Sequence, residues 1–351
     1  MAGGFSVGFI LDAARDPHIV LAVLLGVKAA VEFSMPFSSS FVMMCTQFCI
    51  MASCANAIAT VASTCVSWTY GKRMGPQLNV MNAVFGAGAS CAPSLAAISR
   101  YVDGRAVKAY WAISVMDALF IVAALAVPSK KNPRRMKVQD AGQSPSLPSS
   151  QANPNGYVAL QDGKLAVDWL AVLLCGGSVL FAVLCEAAIT FWLFSYSTEQ
   201  LSLTVDAAGA VNTLFFLTFT ATRFLCGWLV SRVGAACILR CGLALSFCAS
   251  VGIVYPQSGA VLPCLGMIGV GVGIAPFAAN CPTVLRQKTF ISGRAQGLMM
   301  PMGACGAMIG ASGTGLLQRW PLVGAAALPT VILLGLAAET CVTTALIRRC
   351  C

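Results

Sequence analysis

The residues best suited to chemistry are a glutamate and two aromatic side chains that follow it within one apolar stretch. Glu186 precedes Trp192 and Tyr196 in the run EAAITFWLFSY. A carboxylate accepts hydrogen bonds from sugar hydroxyls, and an aromatic ring stacks on the apolar face of a sugar. The same acid could carry a proton or bind Na⁺, or it could simply be hydrogen-bonded into helix packing. We therefore treat Glu186 as a candidate for both substrate binding and cation coupling.

Three further charged residues inside apolar stretches are candidates, since an unpaired charge there is costly. Lys28 and Glu32 are four positions apart, which places them on the same face of a helix. An internal ion pair is the favoured interpretation, and a coupling site is the alternative. Asp117 has no partner nearby in sequence, so it is either a coupling residue or a protonated structural acid.

Polar residues of other types offer weaker candidates. Arg223 lies four residues before Gly227 near a predicted helix end, which favours snorkelling or bracing of a gate over substrate contact. Asn56, Asn82 and Asn280 are uncharged donors and acceptors in apolar stretches, and we include them as substrate-binding candidates. The alternative for each asparagine is a hydrogen bond that only holds helices together.

The elements that must position these residues are membrane helices. Hydrophobic residues make up 58% of the chain and charged residues 10%. An average soluble protein contains about 25% charged residues. The mean hydropathy is +0.81, and the apolar runs are long and continuous rather than short and alternating as in a β-barrel. The composition predicts an all-α, polytopic membrane protein.

Several functional classes are disfavoured by the same pattern. The formal charge of +10 comes from basic residues in short loops, which membrane topology explains better than nucleic-acid binding. The 17 cysteines are scattered through apolar runs, so packing is favoured over a metal site. His18 is the single histidine, and no sequence resembles a Walker A loop. We expect no enzyme activity, no cofactor and no metal.

Ten apolar segments are long enough to cross a bilayer, which needs about 20 residues. They are predicted at His18–Pro36, Ser40–Trp68, Pro76–Ser99, Ala106–Val127, Leu165–Tyr196, Ala207–Val230, Ala236–Tyr255, Ala260–Cys281, Gly293–Leu317 and Pro321–Ile347.

One long polar segment, residues 129–164, divides these spans. It opens with five basic residues in eight positions and continues as a Ser-, Pro-, Gln- and Asn-rich tract. We therefore predict a flexible linker between an N-terminal bundle (1–128) and a C-terminal bundle (165–351). With this linker inside, the inner loops hold sixteen basic residues and the outer loops four. The positive-inside rule thus predicts a cytoplasmic linker and C-terminus, with the plasma membrane as the default location.

Two pairs of segments repeat across the linker. The stretch GFILDAAR (Gly8–Arg15) parallels GWLVSRVG, which begins at Gly227, and NVMNAVFGAGASCAPS parallels QGLMMPMGACGAMIGA. Gly8 precedes Gly227 by 219 positions, and Gly86 precedes Gly303 by 217. Two matches at nearly one offset indicate two homologous halves of the same orientation.

The repeated GxxxD and GxxxSR stretches resemble the loop motif of the major facilitator superfamily. The resemblance implies a two-bundle fold in which glycines allow close helix contact and charged residues brace a gate. The gating candidates on this basis are Gly8, Asp12, Arg15, Gly227, Arg232 and Arg223. Four spans precede the linker and six follow it, so the alignment implies that the first helix and most of the second are missing at the front.

A closer resemblance is to the fucose permease and sodium-dependent glucose transporter branch. It rests on GPQLNVMNAVFGAGASCAPSL (Gly75–Leu95), on the stretch from Glu186 to Tyr196, and on NCPT beginning at Asn280. The resemblance implies a carrier of a hexose-type sugar that works by alternating access, with coupling to Na⁺ or H⁺ left open. Two alternatives remain: a carrier of another solute, such as a carboxylate or a drug-like molecule, and a transport-inactive membrane scaffold or sensor.

Overall fold

The computed structural model describes residues 2–14, 16–127, 167–254, 259–320 and 323–351, and every regular element in those ranges is helical. The predicted linker at 129–164 and the gating candidate Arg15 lie outside the described residues. The α-helices are α1 (Ala2–Ala13), α2 (Pro17–Ser34), α3 (Phe41–Tyr70), α4 (Gly75–Asp103), α5 (Ala109–Ala126), α6 (Trp169–Glu199), α7 (Val205–Val233), α8 (Ala235–Val254), α9 (Val261–Ile274), α10 (Phe277–Lys288), α11 (Gly293–Met308), α12 (Thr314–Gln318) and α13 (Ala327–Cys350).

Local sequence explains where several helices begin and end. Asp16 accepts a hydrogen bond from the His18 amide at the start of α2. Pro17 occupies the first helical position, where its missing amide hydrogen is not needed. Ser40 caps α3 in the same way as Asp16 caps α2. The ends of α3 and α7 fall at Gly71 and Gly234, whose φ values are 55° and 83°. Residues other than glycine rarely adopt such positive values.

The all-α membrane class is confirmed, with one difference in the number of spans. Eight helical segments of the described chain are long and apolar enough to cross a membrane. The spans predicted at Pro76–Ser99 and Gly293–Leu317 are helical but do not meet that criterion. The first forms the glycine- and polar-rich α4. The second forms α11, which runs through a π-helical turn at Ile309–Gly313 into the short α12.

The chain divides into two compact units that are not continuous in sequence. The first contains Met1–Lys72, Gly88–Val167 and Thr289–Pro301. Within it α2 packs against α3 and α5, while α1 packs against α3. Val7 and Leu11 of α1 meet Ala57 and Val61 of α3 in a small apolar core. This unit therefore holds α2 and α5 side by side, so that charged residues on their facing sides can meet.

The second unit contains Arg73–Ala87, Asp168–Lys288 and Met302–Cys351. Helix α6 is among its most buried long helices and packs against α7, α10 and α13. Small residues permit very close approach to α11: a Cβ atom added at Gly306 or Gly310 would lie 2.1 Å from a backbone carbonyl oxygen of α6. Helix α6 is thus held between α11 and α13, and these contacts fix the positions of its candidate residues.

Candidate functional site

Glu186 and Arg223 form an ion pair in the second unit. The Arg223 Nη2 atom donates to both carboxylate oxygens of Glu186, at 3.3 and 3.1 Å. The arginine side chain is 5% exposed and that of the glutamate 25%. A snorkelling Arg223 is therefore not observed. Its charge is compensated by an acid on the neighbouring helix, which allows the guanidinium to remain buried.

The guanidinium makes three further contacts that fix its plane. Its Nε atom donates to the carbonyl oxygen of Ala275 at 3.2 Å, and Nη1 donates to that of Asn82 at 3.3 Å. Phe219 lies one turn earlier on α7, with its ring centroid 4.2 Å from the guanidinium carbon. Arg223 thereby ties α7 to α4, α6 and the turn between α9 and α10, while the Glu186 side chain remains 25% exposed.

An asparagine pair connects α4 and α10 in the same unit. Asn79 donates to the side-chain oxygen of Asn280 at 3.3 Å, and Asn280 donates back at 3.5 Å. Each amide also bonds the carbonyl oxygen one turn earlier in its own helix, and both residues are fully buried. The binding candidate Asn280 is thus paired with Asn79 rather than with Asn82, whose amide bonds its own helix at Leu78.

Trp192 and Tyr196 lie farther along α6 and differ in exposure. The indole of Trp192 donates to the carbonyl oxygen of Ala311 at 2.7 Å, at the π-helical turn that follows α11. Trp192 and Phe191 line an open cavity of about 650 Å³ together with residues of that turn and of α12. Tyr196 is 5% exposed. A ligand in this cavity would reach Trp192 but not the Tyr196 ring.

The first unit brings together three of the four coupling candidates, Lys28, Glu32 and Asp117. Lys28 Nζ lies 2.5 Å from an oxygen of Glu32, as the spacing predicts, and 2.7 Å from an oxygen of Asp117 on α5. The side chains of Lys28, Glu32 and Asp117 are 17%, 3% and 11% exposed. The second oxygen of Glu32 is buried and has no hydrogen-bond partner among the described residues. We call these three residues the α2–α5 triad.

Asn56 is separate from the triad and bonds only its own helix. Its amide donates to the carbonyl oxygen of Ala52 at 3.2 Å, and the side chain is partly buried. This contact satisfies the asparagine amide within its own helix. Among the described residues, no other side-chain contact of Asn56 supports its role in ligand binding.

The first gating motif meets the start of α11 within the first unit. A Cβ atom at Gly8 would lie 2.5 Å from the carbonyl oxygen of Gly293, so the two helices touch at backbone distance. Asp12 accepts hydrogen bonds from the backbone amides of Gly293 (2.8 Å) and Arg294 (3.3 Å). Its carboxylate therefore caps the positive end of the α11 dipole. The Arg294 guanidinium lies 3.6 Å from the same carboxylate.

The second motif has the same glycine contact but not the acidic cap. Gly227 packs against Pro76 and Asn79 near the start of α4 in the second unit, with a virtual Cβ 3.3 Å from the Asn79 side chain. Ser231 bonds back to its own helix, and Arg232 stacks on Trp228 at 3.9 Å. The substitution of serine for an acid thus removes the contact that Asp12 makes in the first unit.

Sequence reasoning missed one buried acid. Glu339 on α13 is fully buried, and neither carboxylate oxygen has a hydrogen-bond partner among the described residues. The sequence feature that could have identified Glu339 is its position, because it is the one acidic residue in the last predicted span. In the described part of the chain, no group of three or more His, Cys, Asp or Glu residues is arranged to hold a metal ion.

Comparisons with known proteins agree with this architecture. Residues 1–311 match the family described as Major Facilitator Superfamily. The solved structure of the E. coli fucose:proton symporter aligns with a TM-score of 0.71 at 13% identity, covering 99% of this chain and 87% of the symporter. No match was found among curated proteins.

Two other solved structures align equally well. The human organic anion transporter MFSD10 gives a TM-score of 0.71 at 15% identity, covering 96% of this chain and 80% of that protein. The proton:xylose symporter bound to 6-bromo-6-deoxy-D-glucose gives 0.71 at 12% identity, covering 97% and 82%. At these identities the alignments establish the fold.

Proposed function

Because this multi-pass membrane chain belongs to the major facilitator superfamily, a family of secondary transporters rather than enzymes, we propose that it carries a hexose-type sugar across the membrane by alternating access. The observation that supports this proposal best is the Glu186–Arg223 pair. It presents a partly exposed carboxylate, held by a fixed guanidinium, at the middle of a membrane helix.

A polyol suits this pair better than an apolar solute does. Each carboxylate oxygen can accept more than one hydrogen bond, so a sugar hydroxyl can donate to the partly exposed Glu186 without breaking the ion pair. Farther along α6, Trp192 lines the open cavity and offers an aromatic face for the apolar side of a sugar ring, although Glu186 is not among the residues that line this cavity. The fucose and xylose symporters share the fold, which is consistent with a sugar but does not identify one.

Cation coupling is assigned to the α2–α5 triad as part of the same proposal. Glu186 is neutralised by Arg223, whereas the triad holds two acids and one lysine. The surplus negative charge in a low-dielectric region favours uptake of one H⁺ or Na⁺. The unpartnered Glu32 oxygen is the group with free capacity to bind it.

Uptake of labelled hexoses into proteoliposomes, with and without H⁺ or Na⁺ gradients, tests the proposal. We expect sugar uptake that is accelerated by one of the two gradients. Glu186→Gln should reduce uptake at least tenfold, whereas Glu199→Gln, at the exposed end of α6, should not. If Glu186→Gln leaves both uptake and coupling unchanged, the site assignment is wrong.

An anionic solute is the second candidate. Arg223 is a buried cation, and a substrate carboxylate could replace Glu186 as its partner. The similarity in fold to an organic anion transporter is compatible with this alternative. A panel of monocarboxylates in the same assay separates the two, because Glu186→Gln should preserve anion uptake but impair sugar uptake. Absence of uptake for the whole panel would favour the scaffold or sensor alternative.

A further inference from the structure

We propose that Glu339 is a proton-binding site in the second unit, built into the seam between α6 and α13 and distinct from both the Glu186–Arg223 pair and the α2–α5 triad. Its ligand is a single H⁺, held as a neutral carboxylic acid. Protonation of Glu339 does not depend on which solute the protein carries.

The contacts of α13 place Glu339 on the face that packs against α6. Cys185 of α6 contacts Ile332 through a long hydrogen bond of 3.7 Å, and a Cβ atom added at Gly335 would lie 2.5 Å from its sulfur. One turn beyond Glu339, the Thr343 hydroxyl lies 2.6 Å from that of Ser178 on α6. Residues 335, 339 and 343 are four apart and share one face, so Glu339 lies inside this seam.

Nothing in the described chain compensates a charge at this position. The titratable groups that face Glu339 are the thiols of Cys185 on α6 and Cys281 on α10, and neither supplies a positive charge. The nearby hydroxyl of Ser178 is already engaged with Thr343 and with the Cys281 sulfur at 3.1 Å. No described basic side chain forms an ion pair with Glu339.

An isolated carboxylate in such a site must be neutralised. Burial of an unpaired ionised carboxylate costs far more than the few kcal/mol by which proteins are stable, so the group is either protonated or bound to a metal cation. A hard cation such as Na⁺ needs several oxygen ligands, whereas a proton needs none beyond the carboxylate, and the Ser178 and Thr343 hydroxyls of this seam are bonded to each other. The surroundings therefore favour a proton.

The position of the site links the proton to the transport helix. Cys185 immediately precedes Glu186, so the seam and the ion pair lie on different faces of the same turn of α6. Loss of the proton would leave an unpaired charge in this seam, which would favour separation of α13 from α6 and entry of water. Proton binding therefore stabilises the packed arrangement of α6 that the structure shows.

The test uses the purified full-length protein in lipid nanodiscs. Infrared spectra at neutral pH should contain a carbonyl band of a protonated carboxylic acid that disappears in Glu339→Gln and remains in the matched control Glu199→Gln. As pH rises from mildly acidic to mildly alkaline, the melting temperature of the wild type should fall relative to that of Glu339→Gln. Glu339→Leu should behave as Glu339→Gln does.

Three results would overturn the proposal: an infrared spectrum unchanged in Glu339→Gln, equal pH dependence of melting in the wild type and both Glu339 variants, or stabilisation by Na⁺ that is lost in Glu339→Gln. The first two would show that Glu339 holds no proton, and the third would show that a metal cation occupies the site. None of these readouts requires uptake, so a failed transport assay does not affect them.

Discussion

Two charged clusters at membrane depth differ in their balance of charge, and this difference governs the role of each residue. The charges of Glu186 and Arg223 cancel, while the α2–α5 triad contains two acids and only one lysine. A balanced buried pair is sensitive to loss of either member, since the remaining charge is then unpaired. An unbalanced cluster instead gains from losing one acid. Removal of the cation should thus destabilise both clusters, whereas removal of an acid should destabilise only the balanced pair.

For the ion pair, we expect Arg223→Ala to destabilise the protein by about 3 kcal/mol, because it leaves Glu186 partly buried without a counter-charge. The double variant Glu186→Ala/Arg223→Ala should recover most of this loss but should not recover uptake. Thermal melting and proteoliposome uptake measure the two effects separately. Additive destabilisation in the double variant would contradict the pairing.

For the triad, we expect Lys28→Ala to destabilise the protein by about 3 kcal/mol, since two acids then face each other without a cation. Glu32→Gln should be neutral or stabilising because it removes the surplus charge, yet it should abolish acceleration of uptake by the coupling gradient. The melting temperature of Lys28→Ala should rise as pH falls, because protonation relieves the repulsion. Gradient-dependent uptake that persists in Glu32→Gln would argue against coupling at the triad.

The sequence could predict contacts between residues that are close in the chain, but not contacts between residues on distant helices. The Lys28–Glu32 contact follows from a four-residue spacing within one helix. The contact of Lys28 with Asp117 depends on the packing of α5 against α2. The ion pair of Glu186 with Arg223 depends on the packing of α7 against α6. A local sequence pattern encodes neither helix contact. The position of Glu339 inside the last predicted span was visible in the sequence, but its lack of partners depends on packing that the local pattern does not show.

At the scale of elements, the approach of α11 to α6 depends on glycines. A Cβ atom at Gly310 would lie 2.1 Å from the Leu184 carbonyl oxygen and would force the helices apart. We therefore expect Gly310→Ala to destabilise the protein by about 1–3 kcal/mol and to slow uptake. Gly313→Ala is the matched control, since its nearest contact is 3.8 Å. Melting curves of the two variants test this, and equal stability would mean that the contact is dispensable.

The start of α6 carries a pH-dependent contact at its cap. Asp168 caps α6 and accepts two hydrogen bonds from Arg349, at 3.0 and 3.1 Å, which hold the pKa of its carboxyl below the usual value. A lowered pKa gives stability that is present above about pH 4 and is lost as pH falls through the native value. The Arg349 side chain is 38% exposed. We therefore expect a contribution of no more than about 1 kcal/mol.

The measurement for this contact is the melting temperature of the wild type and of Asp168→Asn across acidic pH. The advantage of the wild type should shrink as pH falls below about 4 and should also shrink in high salt. A constant difference between the two proteins at all pH values would assign the effect to capping geometry rather than to charge.

The repeated sequence segments acquire a physical meaning at this scale. Gly8 packs on the start of α11, and Gly227 packs on the start of α4. Helices α4 and α11 carry the other repeated pair of segments. Each repeated glycine therefore packs against the helix that carries the other repeat in the opposite half of the sequence. The sequence predicted the two repeats, but it could not show which helix each glycine contacts, or that Asp12 caps a helix while Ser231 bonds back to its own helix.

For the whole molecule, the distribution of basic residues predicts which ends of the helices face the cytoplasm. Epitope tags inserted within 129–164 or after Cys351 should bind antibody only after cells are permeabilised. A tag at Gly104, between α4 and α5, should be labelled on intact cells. Labelling of the C-terminal tag on intact cells would contradict the predicted orientation.

The reciprocal bond between Asn79 and Asn280 has a consequence for how the protein can change over evolutionary time. Each amide is fully buried and completes the hydrogen bonding of the other. A substitution at one position alone leaves the other amide buried without its hydrogen-bond partner, while a simultaneous change to two apolar residues is tolerated far better. Among homologues, the residues at 79 and 280 should therefore covary, although 201 positions separate them in the chain.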